Sequence, residues 1–300
     1  MMAEARPEVS IIVVNWNGGT ALASCLDSVA EAVRGRRAEV LVVDNASTDG
    51  SAEEVSRAHP EVKLVRNGAN VGFAGGANKG LSEASGEILL LLNPDAQIGT
   101  DALGRLLGVM QQDGRIGIAG CGSVDGEGRC APGYEMSLPG QRGVSVARRE
   151  GQGRDVAWVS GACLAARREM VEEVGPLDDG FFMYSEDVDW CYRAREAGWR
   201  VVTLPEVTIR HELGTSAAQV TGTARARWAA ESRVRFYGKH YSPARARWLR
   251  ARMAAAALLG MVWRALPAAF SGAAREGVRA KWAVLGAALR GGRDGRGMRG

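Results

Sequence analysis

Ser10-Ile11-Ile12-Val13-Val14-Asn15-Trp16-Asn17 is the stretch whose reading decides the fold. Its first part is a β-branched run without polar alternation. A strand apolar on both faces suits a buried parallel sheet, whereas a half-exposed antiparallel strand alternates apolar with polar. Outward from it, Val40-Leu41-Val42-Val43 repeats the pattern, and Ile88-Leu89-Leu90-Leu91-Leu92 is a third apolar run of strand length. Helix-length segments separate the runs: 20–33, then 51–58 after the turn Ser47-Thr48-Asp49-Gly50, then 74–84. This alternation predicts an α/β fold with a mainly parallel central sheet covered by helices on both faces. Ligands gather at the carboxyl ends of such strands. Asn15-Trp16-Asn17, Asp44-Asn45 and Asn93-Pro94-Asp95 follow the three runs directly.

The chain has 300 residues, 46% of them hydrophobic, enough for one substantial core and a small appendage. The formal net charge of +4 conceals a division: residues 245–300 hold 12 Lys or Arg against Glu276 and Asp294, leaving 1–244 net acidic. An acidic body argues against a nucleic-acid-binding catalytic domain and confines attraction to anionic surfaces to the tail. Cys25, Cys121, Cys130, Cys163 and Cys191 are odd in number and scattered, with neither zinc spacing nor a secreted disulfide framework, so a reducing cytoplasm is expected. The opening MMAEARPEVSIIVVNW carries Glu4 and Glu8 before a short apolar run and reads as a strand, not a leader. Residues 251–270 are interrupted by Arg252, Arg264 and Pro267 and make a poor spanning segment.

Further along, 120–155 is rich in Gly, Pro and polar residues and reads as a long loop or irregular hairpins. A helix is expected over 186–197, ended by Gly198, then strands over 200–204 and 207–210 and another helix over 223–240.

Each chemistry-bearing segment has two readings. A carboxylate at Asp44 can accept hydrogen bonds from a nucleoside, or it can close a turn whose Asp49 or Ser51 caps the next helix. The glycines of NGANVGFAGGANKGL let the protein backbone approach a nucleotide closely, or simply make a tight turn into a helix. It is neither a Walker loop nor a dinucleotide fingerprint. Asp95, turned out of the sheet by Pro94, suits a hard divalent ion held mainly by a diphosphate, or a solvated turn. Ser185 can cap a helix whose first turn holds Glu186, Asp187 and Asp189, where negative charge suits the dipole. Three carboxylates in four residues nevertheless crowd like charges, as a base or cation site does. His211, at a strand end, is a ligand or a structural histidine.

In this order, VSIIVVNWNG, VVDNASTDGS, NVGFAGGANKG, LLLLNPDA, FFMYSEDVDWCYRAREAGW and RHELGTS resemble the family 2 glycosyltransferases of GT-A fold, and more closely their rhamnosyltransferase-like bacterial members. The resemblance implies a nucleotide-diphosphate-sugar donor, Mg²⁺ or Mn²⁺, and inversion at the anomeric carbon. It implies that Asp44 contacts the pyrimidine nucleoside with Asn15 and Trp16 lining the pocket, and that Asn78 and Asn93 meet the nucleotide sugar. Asp95 stands in the metal-binding acidic motif, His211 where a histidine supports metal or diphosphate, and Asp187 in the position of the catalytic base. Asn93 departs from the pattern, since many members have Asp there, which weakens the expected hold on metal without donor.

The expected organisation is a catalytic domain over 1–243 and a basic helical tail over 244–300. On a helix over 273–290, Val278, Trp282, Leu285 and Leu289 form a stripe edged by Arg275, Lys281 and Arg290. It can lie on a bilayer surface or pack on protein, and residues 291–300 read as disordered. The leading expectation is a cytoplasmic transferase, peripheral on the inner face of the cell membrane, moving rhamnose from dTDP-rhamnose to a lipid-linked or polysaccharide acceptor in cell-envelope glycan synthesis. UDP-hexose or UDP-galactofuranose donors, and a catalytically silent nucleotide-sugar-binding scaffold, stand as alternatives.

Overall fold

The computed structural model describes residues 6–139, 153–211, 220–268 and 272–290, with side chains left out over 262–275. The chain divides into two compact units, Met1–Asp178 with Asp187–Ser216, and Asp179–Glu186 with Ala217–Gly300. The expected boundary at 243/244 thus falls inside the second unit. The expected disorder of 291–300, much of the expected loop at 140–152, and the Gly214 and Ser216 that follow His211 lie outside the described residues.

The first unit opens with β1 (Val9–Asn15), α1 (Gly19–Ala32), β2 (Ala38–Asp44), α2 (Ser51–Ala58), β3 (Lys63–Arg66), α3 (Gly72–Glu83) and β4 (Ile88–Leu92). It continues through β5 (Ala96–Gln97), α4 (Thr100–Gln112), β6 (Ile116–Val124), β7 (Cys130–Ala131), β8 (Tyr134–Glu135), β9 (Arg154–Asp155) and β10 (Trp158–Val159). β11 (Cys163–Arg167), α5 (Arg168–Val174), α6 (Glu186–Glu196) and β12 (Arg200–His211) follow. The sheet runs β3-β2-β1-β4-β11-β6-β12-β5. β3, β2, β1 and β4 are mutually parallel, as are β6 and β12, while β11 is antiparallel to both its neighbours. The fold is the expected α/β one with a mainly parallel sheet.

The apolar character of both faces of β1 has its cause here. Ile11 and Val13 pack with Leu22, Cys25 and Leu26 of α1 and Leu103 and Leu106 of α4. Ile12 and Val14 pack with Ala74, Ala77 and Leu81 of α3 and with Trp190 of α6. Side chains two apart share a face, so a strand covered on both sides needs apolar residues at every position. The glycines of α3 serve this packing. A Cβ on Gly76 would sit 2.7 Å from Val14 Cγ1, and one on Gly80 2.3 Å from Ile12 Cγ2. They let the helix backbone rest on the strands, which is the packing role of a glycine in a strand–helix unit.

The loop expected over 120–155 begins too early. Ile116–Val124 is a buried strand within the sheet, apolar enough only because its glycines face large neighbours: Gly117 meets Met170 and Trp199, and Gly120 meets Val159. The two strands expected over 200–204 and 207–210 are one, β12, with a register break between Leu204 and Thr208 against β6. The strand order bends the sheet. Four strand spacings along the sheet path separate β4 from β5, about 19 Å if flat. Only three residues join Leu92 to Ala96, four Cα–Cα steps with a reach of at most about 14 Å. The sheet therefore curls, and the end of β12 returns toward the end of β4.

The second unit holds α7 (Gly222–His240), α8 (Pro243–Ala268) and α9 (Gly272–Arg290). The Phe182 and Trp228 rings meet at a 46° tilt with centroids 5.0 Å apart, the Arg235 guanidinium lies 5.3 Å from the Phe181 ring, and Ser232 donates to the Met183 carbonyl. Arg250 of α8 donates to the Ala288 and Leu289 carbonyls, satisfying acceptors at the C-terminal end of α9. The expected stripe on α9 is split: Leu285 is buried, while Trp282 and Leu289 face solvent.

Candidate functional site

β1 and β2 end in register, Asn15 opposite Asp44. Asn15 is fully buried. Its amide nitrogen lies 3.0 Å from Asp44 Oδ1, 3.1 Å from Ser47 Oγ and 2.9 Å from Ser51 Oγ, and its Oδ1 accepts from the Gly18 N–H at 3.0 Å. The Ser47 N–H donates to Asp44 Oδ2 at 3.2 Å. Asp44 is 2% exposed, and its carboxylate has acceptor positions beyond these two bonds, so a base or ribose donor can still be received. Asn17 and Ala46, in the loops that follow the two strands, adopt φ of 52° and 59°. Left-handed backbone at non-glycine residues costs energy that the stitched loops must supply. The stitching is explicit: Thr48 N–H donates to Asn17 Oδ1, Asn17 N–H to Ser47 Oγ, and Gly19 N–H to Asp49 Oδ2. Trp16 is half-buried beside this corner. Asp49 receives Ser51 N–H and Oγ, yet α2 starts at a Gly50 N-cap with no side-chain cap bond.

β4 leaves the sheet beside β1, and its exit turn reaches the same corner, since a Cβ on Gly18 would meet Asn15 Oδ1 at 2.5 Å and Pro94 Cβ at 3.6 Å. Past Pro94 the two residues of β5 pair antiparallel with the end of β12, setting His211 opposite Ala96. His211 Nε2 then lies 3.0 Å from Asp95 Oδ1 and 3.4 Å from Asn93 Nδ2. Asp95 and His211 are both nine-tenths buried or more. Beneath the turn, Cys25 Sγ donates to the Asn93 carbonyl at 3.5 Å. Burial, and then the Asp95 charge, push that thiol up to about 12, so it stays neutral.

Asp187 stands in the first turn of α6. Its Oδ2 accepts from the Gly161 N–H at 3.0 Å and its Oδ1 from the Val188 N–H at 2.8 Å. Burial raises its carboxyl above the ordinary range, and these N–H groups with its own only partly offset that. The next carbonyl, Ala162, accepts from the Asn93 N–H at 3.0 Å. Adjacent residues of one turn thus hold Asp187 on one side and the β4 exit on the other. Tyr184 and Ser185, just before α6, have φ of 71° and 66°.

Two of the three crowded carboxylates, Asp187 and Asp189, are held by different partners. Asp189, fully buried, pairs with Arg193 at 2.8 Å one helical turn on, and Arg193 also donates to the Val174 and Pro176 carbonyls. It braces α6, whereas among the described residues Asp187 is held by backbone N–H groups alone. Asn78 stands apart from the other candidates: its amide donates to the Leu177 carbonyl at 2.8 Å and accepts the Leu177 N–H at 3.0 Å. Sequence reasoning missed Ser51, Gly161 and Cys25, whose parts depend on contacts across the sheet. The cue for Ser47 was present in the Asp44-to-Ser47 spacing of a polar turn. Among the described residues no group of three or more His, Cys, Asp or Glu could hold a metal ion unaided.

The sequence matches Glycosyl transferase family 2 over residues 10–175. It is 30% identical over 230 residues, 67% of this chain and 75% of the relative, to an N-acetylglucosaminyl-diphospho-decaprenol L-rhamnosyltransferase of Mycobacterium tuberculosis. It is 29% identical over 204 residues, 63% of this chain and 62% of the relative, to a low-salt glycan biosynthesis hexosyltransferase of Haloferax volcanii. Among solved structures, the mannosyltransferase of Pyrobaculum calidifontis in complex with GDP-Man and Mn²⁺ aligns with 96% of this chain and 87% of its own at a TM-score of 0.59 and 21% identity. TarS of S. aureus in complex with UDP-GlcNAc aligns with 81% of this chain and 70% of its own at 0.55 and 16%. The Asp44 corner, the Asp95 turn and the Asp187 helix all lie on that shared GT-A fold, and the chain belongs to the family 2 glycosyltransferases.

Proposed function

We propose that this glycosyltransferase, which uses a nucleotide-sugar donor, moves L-rhamnose from dTDP-rhamnose to a lipid-linked or polysaccharide acceptor with inversion. The observation that supports the reading most is the turn at 161–162, which ties Asp187, a carboxyl with raised proton affinity, to the Asp95 strand exit. The rhamnose and the lipid-linked acceptor rest on the likeness to the mycobacterial relative.

Asp44 accepts from the nucleobase imide, and Asn15 holds that carboxylate in orientation. Trp16 and Asn93 line the donor, while the Asn78 amide, committed to Leu177, positions α3. Asp95 Oδ1 and His211 Nε2 converge within 3.0 Å, an oxygen and a nitrogen that fit a divalent cation completed by diphosphate oxygens. Mg²⁺ or Mn²⁺ held there would neutralise charge developing on the leaving diphosphate. Asp187 takes the proton of the acceptor hydroxyl as its oxygen attacks the anomeric carbon, and the bond to the diphosphate breaks on the opposite face. Single displacement requires no covalent enzyme intermediate, and the proton ends on Asp187.

The test is thermal stabilisation by dTDP, UDP and GDP with and without Mn²⁺ or Mg²⁺, followed by transfer from dTDP-rhamnose to a polyprenyl-diphosphate-GlcNAc acceptor. Preferential stabilisation by dTDP with metal, and rhamnosylated product, are expected. Preference for UDP or GDP refutes the donor assignment.

A further inference from the structure

α8 has an unusual outward face. Trp248, Arg252, Ala255 and Leu259 recur at successive turns along it, and all are exposed, as are Ala251 and Leu258 beside them. The opposite side, with Ala246, Leu249 and Ala257, is buried. The helix is therefore apolar on both sides. On the outer one Trp248 is 56% and Leu259 63% exposed. Solvent-facing helix surfaces ordinarily carry mixed charge, and a contiguous exposed apolar patch marks an interaction surface. The charges this helix contributes beside the face have a single sign: residues 243–261 include four arginines and no Asp or Glu.

Two occupants have the right apolarity, a second copy of the chain and a lipid bilayer. A second copy would bring one set of arginines, Arg245, Arg247 and Arg252, against another of the same sign, where like charges repel. An anionic bilayer offers phosphates to the same arginines and acyl chains to the tryptophan and leucines. Arg252 lies 4.7 Å from the Trp248 ring, so a guanidinium rides beside the ring that would enter the headgroup layer, in the way long basic side chains reach back to phosphates. Trp and Arg together are the residues of a membrane–water boundary. No helix among the described residues is long and apolar enough to cross a membrane, so the contact is peripheral.

We propose that the Trp248–Leu259 face of α8 docks on an anionic phospholipid bilayer, Trp248, Leu258 and Leu259 entering the headgroup region and Arg245 and Arg252 pairing with lipid phosphates. This goes beyond the sugar-transfer reading and is independent of it, because the test vesicles carry no acceptor.

The experiment is co-sedimentation of the full chain with phosphatidylglycerol–phosphatidylcholine vesicles and with pure phosphatidylcholine, at low and high salt. Circular dichroism controls for folding, and sedimentation velocity is run without lipid. The parent is expected to sediment with the anionic vesicles and to be released by salt, since the attraction is screened over about 10 Å at 0.1 M. Trp248→Ala with Leu259→Ala is expected to lower the apparent affinity about tenfold or more, by returning two inserted side chains to water. Arg245→Glu with Arg252→Glu is expected to abolish the preference for anionic vesicles. Failure of the parent to sediment, or parent-like binding by the Trp248→Ala/Leu259→Ala variant, overturns the proposal. A lipid-free dimer that this variant loses overturns it as well, and assigns the face to a second copy.

Discussion

Asn15→Asp tests the corner where β1 and β2 end. The substitution keeps the shape and changes only the charge, setting a second carboxyl 3.0 Å from Asp44 Oδ1 in a fully buried position. Two unit charges at that distance repel by about 5 kcal/mol at an effective dielectric of about 20. The introduced carboxyl therefore keeps its proton in the folded state, whereas in the unfolded chain it ionises near the ordinary value of about 3.9. Its folded pKa is raised, so the folded state binds more protons than the unfolded, and stability falls as pH rises above about 3.9 until the raised value is reached. Holding the proton costs about 1.4 kcal/mol per pH unit, hence about 1.5 kcal/mol at pH 5 and about 4 kcal/mol at pH 7. Loss of one donor to Ser47 or Ser51 adds about 1 kcal/mol at either pH. Urea denaturation of parent and variant at pH 5 and pH 7 measures the difference, expected near 2.5 kcal/mol, with Asn15→Ala showing a pH-independent loss. An Asn15→Asp penalty equal at the two pH values would refute the reasoning.

Asp187→Asn is expected to abolish transfer and leave donor affinity unchanged in calorimetry; retention of most turnover contradicts the base assignment. Because burial raises the Asp187 carboxyl and the base acts ionised, kcat/KM should fall on acidification through a pKa above about 3.9, and a profile flat down to that value is the contrary result. Asp95→Ala should remove the Mn²⁺-dependent part of nucleotide-diphosphate binding, read as loss of the metal-induced rise in Tm; an undiminished metal effect excludes the Asp95–His211 pair as its source. Gly80→Ala drives a Cβ to 2.3 Å from Ile12 Cγ2 and 3.1 Å from Val43 Cγ2, so overpacking of about 1–3 kcal/mol should outweigh a helix-propensity gain of about 1 kcal/mol. A higher urea midpoint for that variant contradicts the packing role.

What could be read from the sequence was what a single strand or turn carries in its own composition. The runs ending at Val14, Val43 and Leu92 announced β1, β2 and β4 because each is buried on both faces. β6 was illegible: its apolar signal is diluted by Gly117, Gly120 and Gly122, and the purpose of the first two is visible only with Met170, Trp199 and Val159 in place. β12 runs through Pro205 as one strand because the register break between Leu204 and Thr208 leaves that proline, which lacks a ladder donor, out of the pairing with β6. Asp189 could have been separated from Asp187 by its i+4 partner Arg193, a local pattern. Asp95 with His211, and Asp187 with Gly161, could not be paired from the sequence, because sheet order decides which distant residues meet.

The Asp95–His211 contact closes a loop of 116 residues, against 29 for Asn15 and Asp44. Two doublings of loop length add about 1.2 kcal/mol of closure entropy, a modest penalty for stability. The Asn15–Asp44 corner draws on only the first fifth of the chain, while the second contact needs residue 211. On the ribosome, every residue of the corner is therefore synthesised well before the histidine.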